Sequence, residues 1–373
     1  MKYFFVLGNH PELSMAELDA RLEITAGTFI EPDILIADCK KTINAQEFIG
    51  TVGGTIKMGR IVAELPAASH PCYLAGLDEL LGVEKNGKFN FGISVYGKAP
   101  IETNKFGLSY KQALKDKGVS CRFVTSRDRT LSSVVVEQNK LVKSGRELAF
   151  IAYGKKIFLG VTEAVQPFKE LSARDYGRPS RDDRSGMLPP KLAQILINLS
   201  GAMKNEILLD PFCGSGTIIT EALGMGYQHI IGSDIAKKAI DDSVKNVGWV
   251  TKRYHLDVKP ILQLMDAREL SRHIKKESID GIATETYLGP QHGAINIEKV
   301  SKELTVLYNA VLKEVEIVLK KGGRAAIAFP AFMANHQAHY LTLNAGKLKR
   351  KEHFLYGRQG QRVWRDIVIF EKN

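Results

Sequence analysis

The chain has 373 residues, of which 44% are apolar and 25% charged. That length and composition suit about two domains with a sizeable core, and they exclude a disordered or collagen-like chain. Lys and Arg number 52 against 41 Asp and Glu, a formal net charge of +11. Such a balance suits a polyanionic partner, either nucleic acid or an acidic membrane surface, or marks a soluble protein that is merely basic.

The four cysteines, Cys39, Cys72, Cys121 and Cys213, form no CxxC pair. Neither a disulfide scaffold nor a metal centre is signalled, and a reducing, cytoplasmic setting fits. The opening MKYFFVLGNHPEL has too short an apolar run for a signal peptide and reads as a strand, Tyr3–Leu7. No apolar run approaches the roughly 20 residues that a membrane helix needs.

In chain order, Tyr3–Leu7 and Asp33–Ala37 read as strands around a helix over Ser14–Arg21. Ser14 is its expected cap and Glu17 the capping-box partner. A second run follows, with strands at Lys88–Val95 and Cys121–Thr125, helices at Gly107–Lys117 and Ser132–Lys143, and a hairpin of Leu148–Tyr153 with Lys156–Val161. Residues 1–165 thus read as an α+β region. Between residues 98 and 156, 13 Lys/Arg face 5 Asp/Glu. Arg122, Arg127 and Arg129 cluster at a strand end, which suits phosphate contact or a solvated charged face.

Residues 166–190, QPFKELSARDYGRPSRDDRSGMLPP, are rich in Pro, Gly, Ser and charge and read as a linker ending in a Pro189-Pro190 helix start. Residues 191–373 then alternate strand and helix. Strands are expected at Glu206–Leu209, His229–Ser233, Ile261–Leu264, Ile279–Thr284, Arg324–Phe329 and Val363–Phe370. This is the pattern of a doubly wound, Rossmann-like α/β domain.

The sharpest motif is ILLDPFCGSGT, ending at Thr217. An apolar strand runs into a glycine turn and then a helix, and Gly214 and Gly216 let backbone approach a ligand closely. Phe212, Cys213, Ser215 and Thr217 complete the turn. Asp234, with Ile235 after it, ends the next apolar strand and can accept ribose hydroxyls. Asp266, with Ala267 after it, follows the third apolar piece and is placed to meet an adenine amino group. The dinucleotide fingerprint fails because Ile219 stands at its third glycine, and no Lys follows the glycines as a Walker loop requires. Asp210 before the loop would repel a pyrophosphate but attract the cationic head of S-adenosylmethionine.

DPFCGSGT, GSD and DA resemble the cofactor motifs of class I S-adenosylmethionine-dependent methyltransferases that act on amino groups of nucleic-acid bases. The wider set of GGTIKMG, SVVVEQNKL, ARDYGRPSRDDRSGMLPPKLAQIL and YGRQGQRVWRDI resembles the tRNA guanine-10 N2-methyltransferase family. That resemblance implies a THUMP RNA-binding domain before the catalytic domain, and tRNA as substrate held partly by the basic linker, including Arg178 and Arg181. It also implies a methylated guanosine, at position 10, and it admits a small zinc-binding partner subunit that no residue here demands.

Amino methyltransferases of this kind carry Asp/Asn-Pro-Pro-aromatic after the fourth strand. The exocyclic amine is a poor nucleophile, so a side-chain oxygen and a backbone carbonyl accept its hydrogens while the ring stacks on the flipped base. This chain has Glu285, Thr286, Tyr287 and Leu288 instead. Glu285 still offers a carboxylate, the Thr286 carbonyl a second acceptor and Tyr287 a ring. The basic C-terminal stretch reads as a strand with an RNA-facing rim at Arg358 and Arg362. Two other readings stay open: a DNA amino methyltransferase, and a non-catalytic RNA-binding protein with a degenerate motif.

Overall fold

A computed structural model describes residues 1–66, 77, 81–82, 88–181, 187–290, 296–335 and 337–373. Cys72 and residues 182–186 of the linker lie outside these. The chain divides into two compact units, Met1–Pro167 and Phe168–Asn373.

The first unit carries strands β1 (Lys2–Leu7), β2 (Ile24–Ile30), β3 (Ile34–Cys39), β4 (Thr55–Pro66), β5 (Phe89–Tyr96), β6 (Cys121–Val124), β7 (Arg146–Tyr153) and β8 (Lys156–Val165). Its helices among the described residues include α1 (Pro11–Arg21), α2 (Ala45–Ile49), α3 (Thr103–Asp116) and α4 (Ser133–Gln138). The strands join in one sheet of order β2-β3-β1-β4-β8-β7-β5-β6, parallel only where β5 meets β6 and β7. Strand β1 is buried on both faces. Tyr3, Phe5 and Leu7 pack with Leu18 of α1 and Ile49 of α2, while Phe4 and Val6 pack with Ala149, Ile151 and Phe158. The alternation follows from the two-residue period of a strand.

The long β4, absent from the sequence reading, pairs with β1 through its first half and with β8 along its length. Gly59 interrupts its apolar pattern for a steric reason. A Cβ there would sit 2.1 Å from the Val161 carbonyl and 2.6 Å from the Phe4 ring.

The capping box expected at Ser14 and Glu17 is not formed. Helix α1 starts earlier, at Pro11, where a missing N–H costs nothing. Both residues are therefore interior and buried. Ser14 donates to the His10 carbonyl, and Glu17 accepts the N–H groups of Gly53 and Gly54 at 2.9 and 2.8 Å. Ser132 is the cap of α4, accepting from Val135.

The second unit begins with α5 (Phe168–Tyr176) and α6 (Pro190–Leu199), followed by β9 (Ile207–Asp210), α7 (Thr217–Met225), β10 (His229–Asp234), α8 (Lys237–Tyr254) and β11 (Ile261–Leu264). A 3₁₀ turn over Ala267–Arg272 leads to β12 (Ile279–Glu285), α9 (Ile297–Val318), β13 (Leu319–Ala334), β14 (Gln337–His339), β15 (Leu348–Tyr356) and β16 (Val363–Lys372). Among the described residues the strand order is β11-β10-β9-β12-β13-β16-β15, with β14 paired to β13. The first five are parallel, and β16 runs antiparallel between β13 and β15. The winding direction reverses between β9 and β12. In open α/β sheets that switch point opens a crevice at the carboxyl ends of the strands.

The stretch expected as a linker is structured at its start, because α5 is docked rather than solvated. Arg174 grips the buried Glu221 of α7 with Nε at 2.6 Å and a second nitrogen at 3.1 Å, and Gln194 of α6 donates to the same carboxylate at 2.9 Å. The charge that made this stretch look like a linker is spent on pairing with a buried acid.

Candidate functional site

A cavity of about 680 Å³ lies over the ends of β9, β10 and β12 in the second unit. Asp210, Pro211 and the turn from Phe212 to Ser215 form its floor, with Thr217 and Ile218 of α7 beside them. Asp234, Ile235, Asp266, Ala267 and Arg268 form one wall, and Glu285, Thr286, Tyr287 and Leu288 another. Met187 and Leu188 also line it.

The turn is held from behind. Cys213 donates its N–H to the Ser233 carbonyl at 2.9 Å, tying the loop to β10. From α8, Ser243 donates to the Gly214 carbonyl at 2.7 Å and Asn246 to the Ser215 carbonyl at 2.8 Å. Gly216 has φ +83°, and a Cβ there would press on Ser243 Oγ at 2.9 Å. Both the left-handed backbone and the contact require glycine at this position.

Each acid at a strand end has its own environment. Asp210 is buried and accepts from Thr284 Oγ1 at 2.6 Å and from the Phe212 N–H at 3.2 Å. Burial pushes its carboxyl up to about 7; these hydrogen bonds oppose the shift, and nearby Asp234 and Glu285 add to it. Asp234 accepts the N–H groups of Gly214 and Ala236. Asp266 caps the 3₁₀ turn through the Arg268 N–H at 2.9 Å and accepts the Arg268 guanidinium, which holds its carboxyl below the usual range. Its expected adenine contact must therefore be shared with Arg268, which also lines the cavity. Ile235 is 66% exposed at the cavity, an apolar face suited to a purine ring.

The catalytic motif departs further from expectation. Glu285 is ion-paired with Nε of Arg365 on β16, and both are largely buried. Burial raises the Glu285 carboxyl, and Arg365 opposes this. Thr286 is pinned by its N–H and hydroxyl, both donating to the Ala328 carbonyl at 3.0 and 3.1 Å. Tyr287 is 54% exposed, and its carbonyl accepts the Tyr308 hydroxyl. The loop is thus rigid while the Tyr287 ring stays open.

The sequence belongs with known methyltransferases. Residues 178–355 match a family described as RMKL-like, methyltransferase domain. A probable tRNA (guanine(10)-N2)-dimethyltransferase of Methanothermococcus thermolithotrophicus is 32% identical over 115 residues, 31% of this chain and 70% of that protein. The chain belongs to the tRNA (guanine(10)-N2)-dimethyltransferase family. The relative of that name from Pyrococcus abyssi is 24% identical over 89% of both chains. With the Methanothermobacter thermautotrophicus relative, identity is 31% over 43% of this chain, and the match spans less than half, 41%, of that protein. In fold, the chain resembles TrmN from Thermus thermophilus, with a TM-score of 0.55 at 20% identity over the whole of both chains. The α/β architecture of the second unit is the Rossmann-like class I methyltransferase fold.

For a member of the tRNA (guanine(10)-N2)-dimethyltransferase family, the structure sorts the expected RNA contacts. Arg122, Arg127 and Arg129 are exposed on the first unit, where Arg129 also braces the Ala99 carbonyl at 2.8 Å. Arg181 is exposed beside the Tyr176 ring, and Arg358 and Arg362 are exposed between β15 and β16. Arg178 does not fit a surface contact. It is 5% exposed and donates to Thr217 Oγ1 at 2.5 Å, behind the glycine turn. Sequence reasoning missed Arg365, Arg268, Thr284 and Asn246. Arg365 had read as part of the basic tail, and its partner lies 80 positions away, a separation that no local pattern reports.

Proposed function

We propose that the protein transfers a methyl group from S-adenosylmethionine to the exocyclic N2 of a guanosine in tRNA, at position 10. The observation that carries this reading is the shared cavity, in which the glycine turn and its strand-end acids open onto the Glu285–Tyr287 loop. The names of the relatives support the substrate.

The cavity suits the cofactor chemically. Gly214 has φ +52°, and among the described residues nothing lies within 4 Å of where a Cβ would stand, so the turn admits a close ligand. The buried Asp210 carboxylate suits a cationic head, and Asp234 suits ribose hydroxyls. The cofactor supplies an electrophilic methyl group on a sulfonium.

Tyr287 stacks on the flipped guanine, and Glu285 with the Thr286 carbonyl accepts the N2 hydrogens. With that donor bound, N2 would take the methyl carbon as the C–S bond breaks, and Glu285 or water would accept the proton that nitrogen gives up. The first unit holds the tRNA through its exposed basic face, as a THUMP domain would. Among the described residues no helix is long and apolar enough to cross a membrane, and the reaction belongs in the cytoplasm with its substrate.

The test incubates the chain alone with unmodified tRNA and labelled donor, followed by nucleoside mass spectrometry. Label in N2-methylguanosine that disappears when guanosine 10 is replaced is the expected result, and the ratio of mono- to dimethylated product follows from the same spectrum. Equal labelling of duplex DNA, or donor binding without transfer, would overturn the reading. Dependence on an added zinc-binding subunit would assign it a partner.

A further inference from the structure

Glu285 of the cavity wall is paired with an arginine from outside the cavity. Glu285 ends β12, while Arg365 reaches it from β16 across β13, at the register where Arg365 opposes Pro330. The guanidinium Nε engages Glu285 Oε1. Among the described residues no donor reaches Oε2, and Glu285 lines the cavity. Arg365 itself does not line it and is 8% exposed. An arginine so placed cannot be a surface phosphate contact. A guanidinium is also costly to bury unless it is paired, and breaking such a pair leaves an uncompensated charge.

We propose that Arg365 is the positioning residue of methyl transfer, clamping Glu285 through Oε1 so that Oε2 stays an unprotonated acceptor turned to the attacking amine. The inference rests on the methyl-transfer reading and adds to it the residue that makes a glutamate serve where aspartate or asparagine is expected. The longer side chain needs an anchor. Arg365 supplies one, and its charge opposes the desolvation that favours the protonated acid. A protonated Glu285 would have lost the acceptor that the amine hydrogen needs.

Among the described residues, the titratable groups that interact with Glu285 are Arg365 from β16, Asp210 from β9 and Tyr356 from β15. Asp210 and Glu285 repel each other, and the Tyr356 hydroxyl is pushed up by burial with a further contribution from Glu285. Arg365 is the cation among these. Its removal moves the Glu285 carboxyl up, and the remaining acid and phenol do not compensate.

The experiment measures single-turnover transfer to tRNA against pH for wild type, Arg365→Met, Arg365→Lys, Glu285→Gln and the Glu285→Gln/Arg365→Met double variant. S-adenosylhomocysteine binding and thermal melting are followed in parallel. In Arg365→Met the rate at neutral pH should fall about 100-fold, and the acid limb should move up by about one pH unit. S-adenosylhomocysteine affinity should stay within about twofold, because Arg365 lies outside the cavity. Arg365→Lys keeps the cation, so its limb should stay near that of wild type, and it carries the test if the Met variant does not fold. In the Glu285→Gln background the Arg365→Met substitution should change the rate little.

An unmoved acid limb in Arg365→Met would overturn the proposal. So would an Arg365→Lys limb displaced as if the cation were gone, or a full Arg365→Met loss persisting with Glu285 already replaced. A wild type that binds S-adenosylhomocysteine but labels no guanosine would instead sink the methyl-transfer reading, so the two failures are distinct.

Discussion

Asp234 accepts the Gly214 N–H through Oδ2 at 3.0 Å and the Ala236 N–H through Oδ1 at 2.9 Å. The acid expected to hold ribose therefore also braces the glycine turn, and one carboxylate couples that turn to the start of α8. Replacing Asp234 with Ala should weaken S-adenosylhomocysteine binding by about 100-fold, since hydrogen bonds to a charged group contribute about 1.5–3 kcal/mol. Asp234→Asn keeps one oxygen and should lose about tenfold. Calorimetry reads both, and an Asp234→Ala affinity equal to that of wild type would remove Asp234 from the cradle.

Asp210 predicts a pH dependence of binding. Its carboxyl titrates near 7 in the folded protein, raised from 3.8 by burial. Its stability contribution is therefore full below pH 3.8 and is lost as pH rises through about 7. Ligand binding has the opposite sign. A cationic head beside the carboxylate favours its ionised form, so binding releases a proton. S-adenosylmethionine affinity should rise up to about tenfold between pH 6 and 8 and then level off. Asp210→Asn should flatten that profile, and a flat wild-type profile would disprove the link.

The ends of β9, β10 and β12 were legible because each apolar run stops at an acid, a glycine or both. The acids at those ends line the cavity for the reason that made them conspicuous, since charge at the tip of an apolar strand has few structural uses. Strand β15, LKRKEHFLY, was not legible because it is an outer strand whose residues from Lys349 to His353 are exposed, so burial imposes no alternation on it. Strand β4 was hidden by Gly59, and α1 was misplaced because Ser14 and Glu17 mimic a cap while Ser14 bonds back to the His10 carbonyl and Glu17 tethers Gly53 and Gly54. The Arg365 pairing was beyond reach, because a register across three strands exists only after folding.

Tyr287 offers a clean separation of base from cofactor. Its ring is 54% exposed while its carbonyl is held by Tyr308, so the side chain can be cut without loosening the backbone. Tyr287→Ala should lower methyl transfer by about 10- to 100-fold, the loss of one base–aromatic stack of about 1–3 kcal/mol. S-adenosylhomocysteine affinity should stay near that of wild type. Tyr287→Phe keeps the ring and should transfer at close to the wild-type rate. Equal losses in Ala and Phe variants would assign the role to the hydroxyl instead.

In the first unit, Lys57 of the GGTIKMG stretch meets Glu147 at 2.7 Å with side chains 4% and 0% exposed. Ser94 donates to the same carboxylate oxygen at 2.5 Å and accepts the Leu131 N–H at 2.8 Å. The pair ties β4 to β7 and, through Leu131, to the chain ahead of α4. Because both charges are dry, removing one strands the other. Lys57→Met should destabilise the first unit by about 3–5 kcal/mol. The Lys57→Met/Glu147→Leu double variant should recover most of that, since a well-packed apolar pair avoids the desolvation cost. Hydrogen exchange of the β4 and β7 amides reports on this unit directly, without relying on a two-state melt of the whole chain. A Lys57→Met loss below about 1 kcal/mol would mean that Glu147 is neutralised or hydrated without its lysine, in the range of an exposed rather than a buried pair.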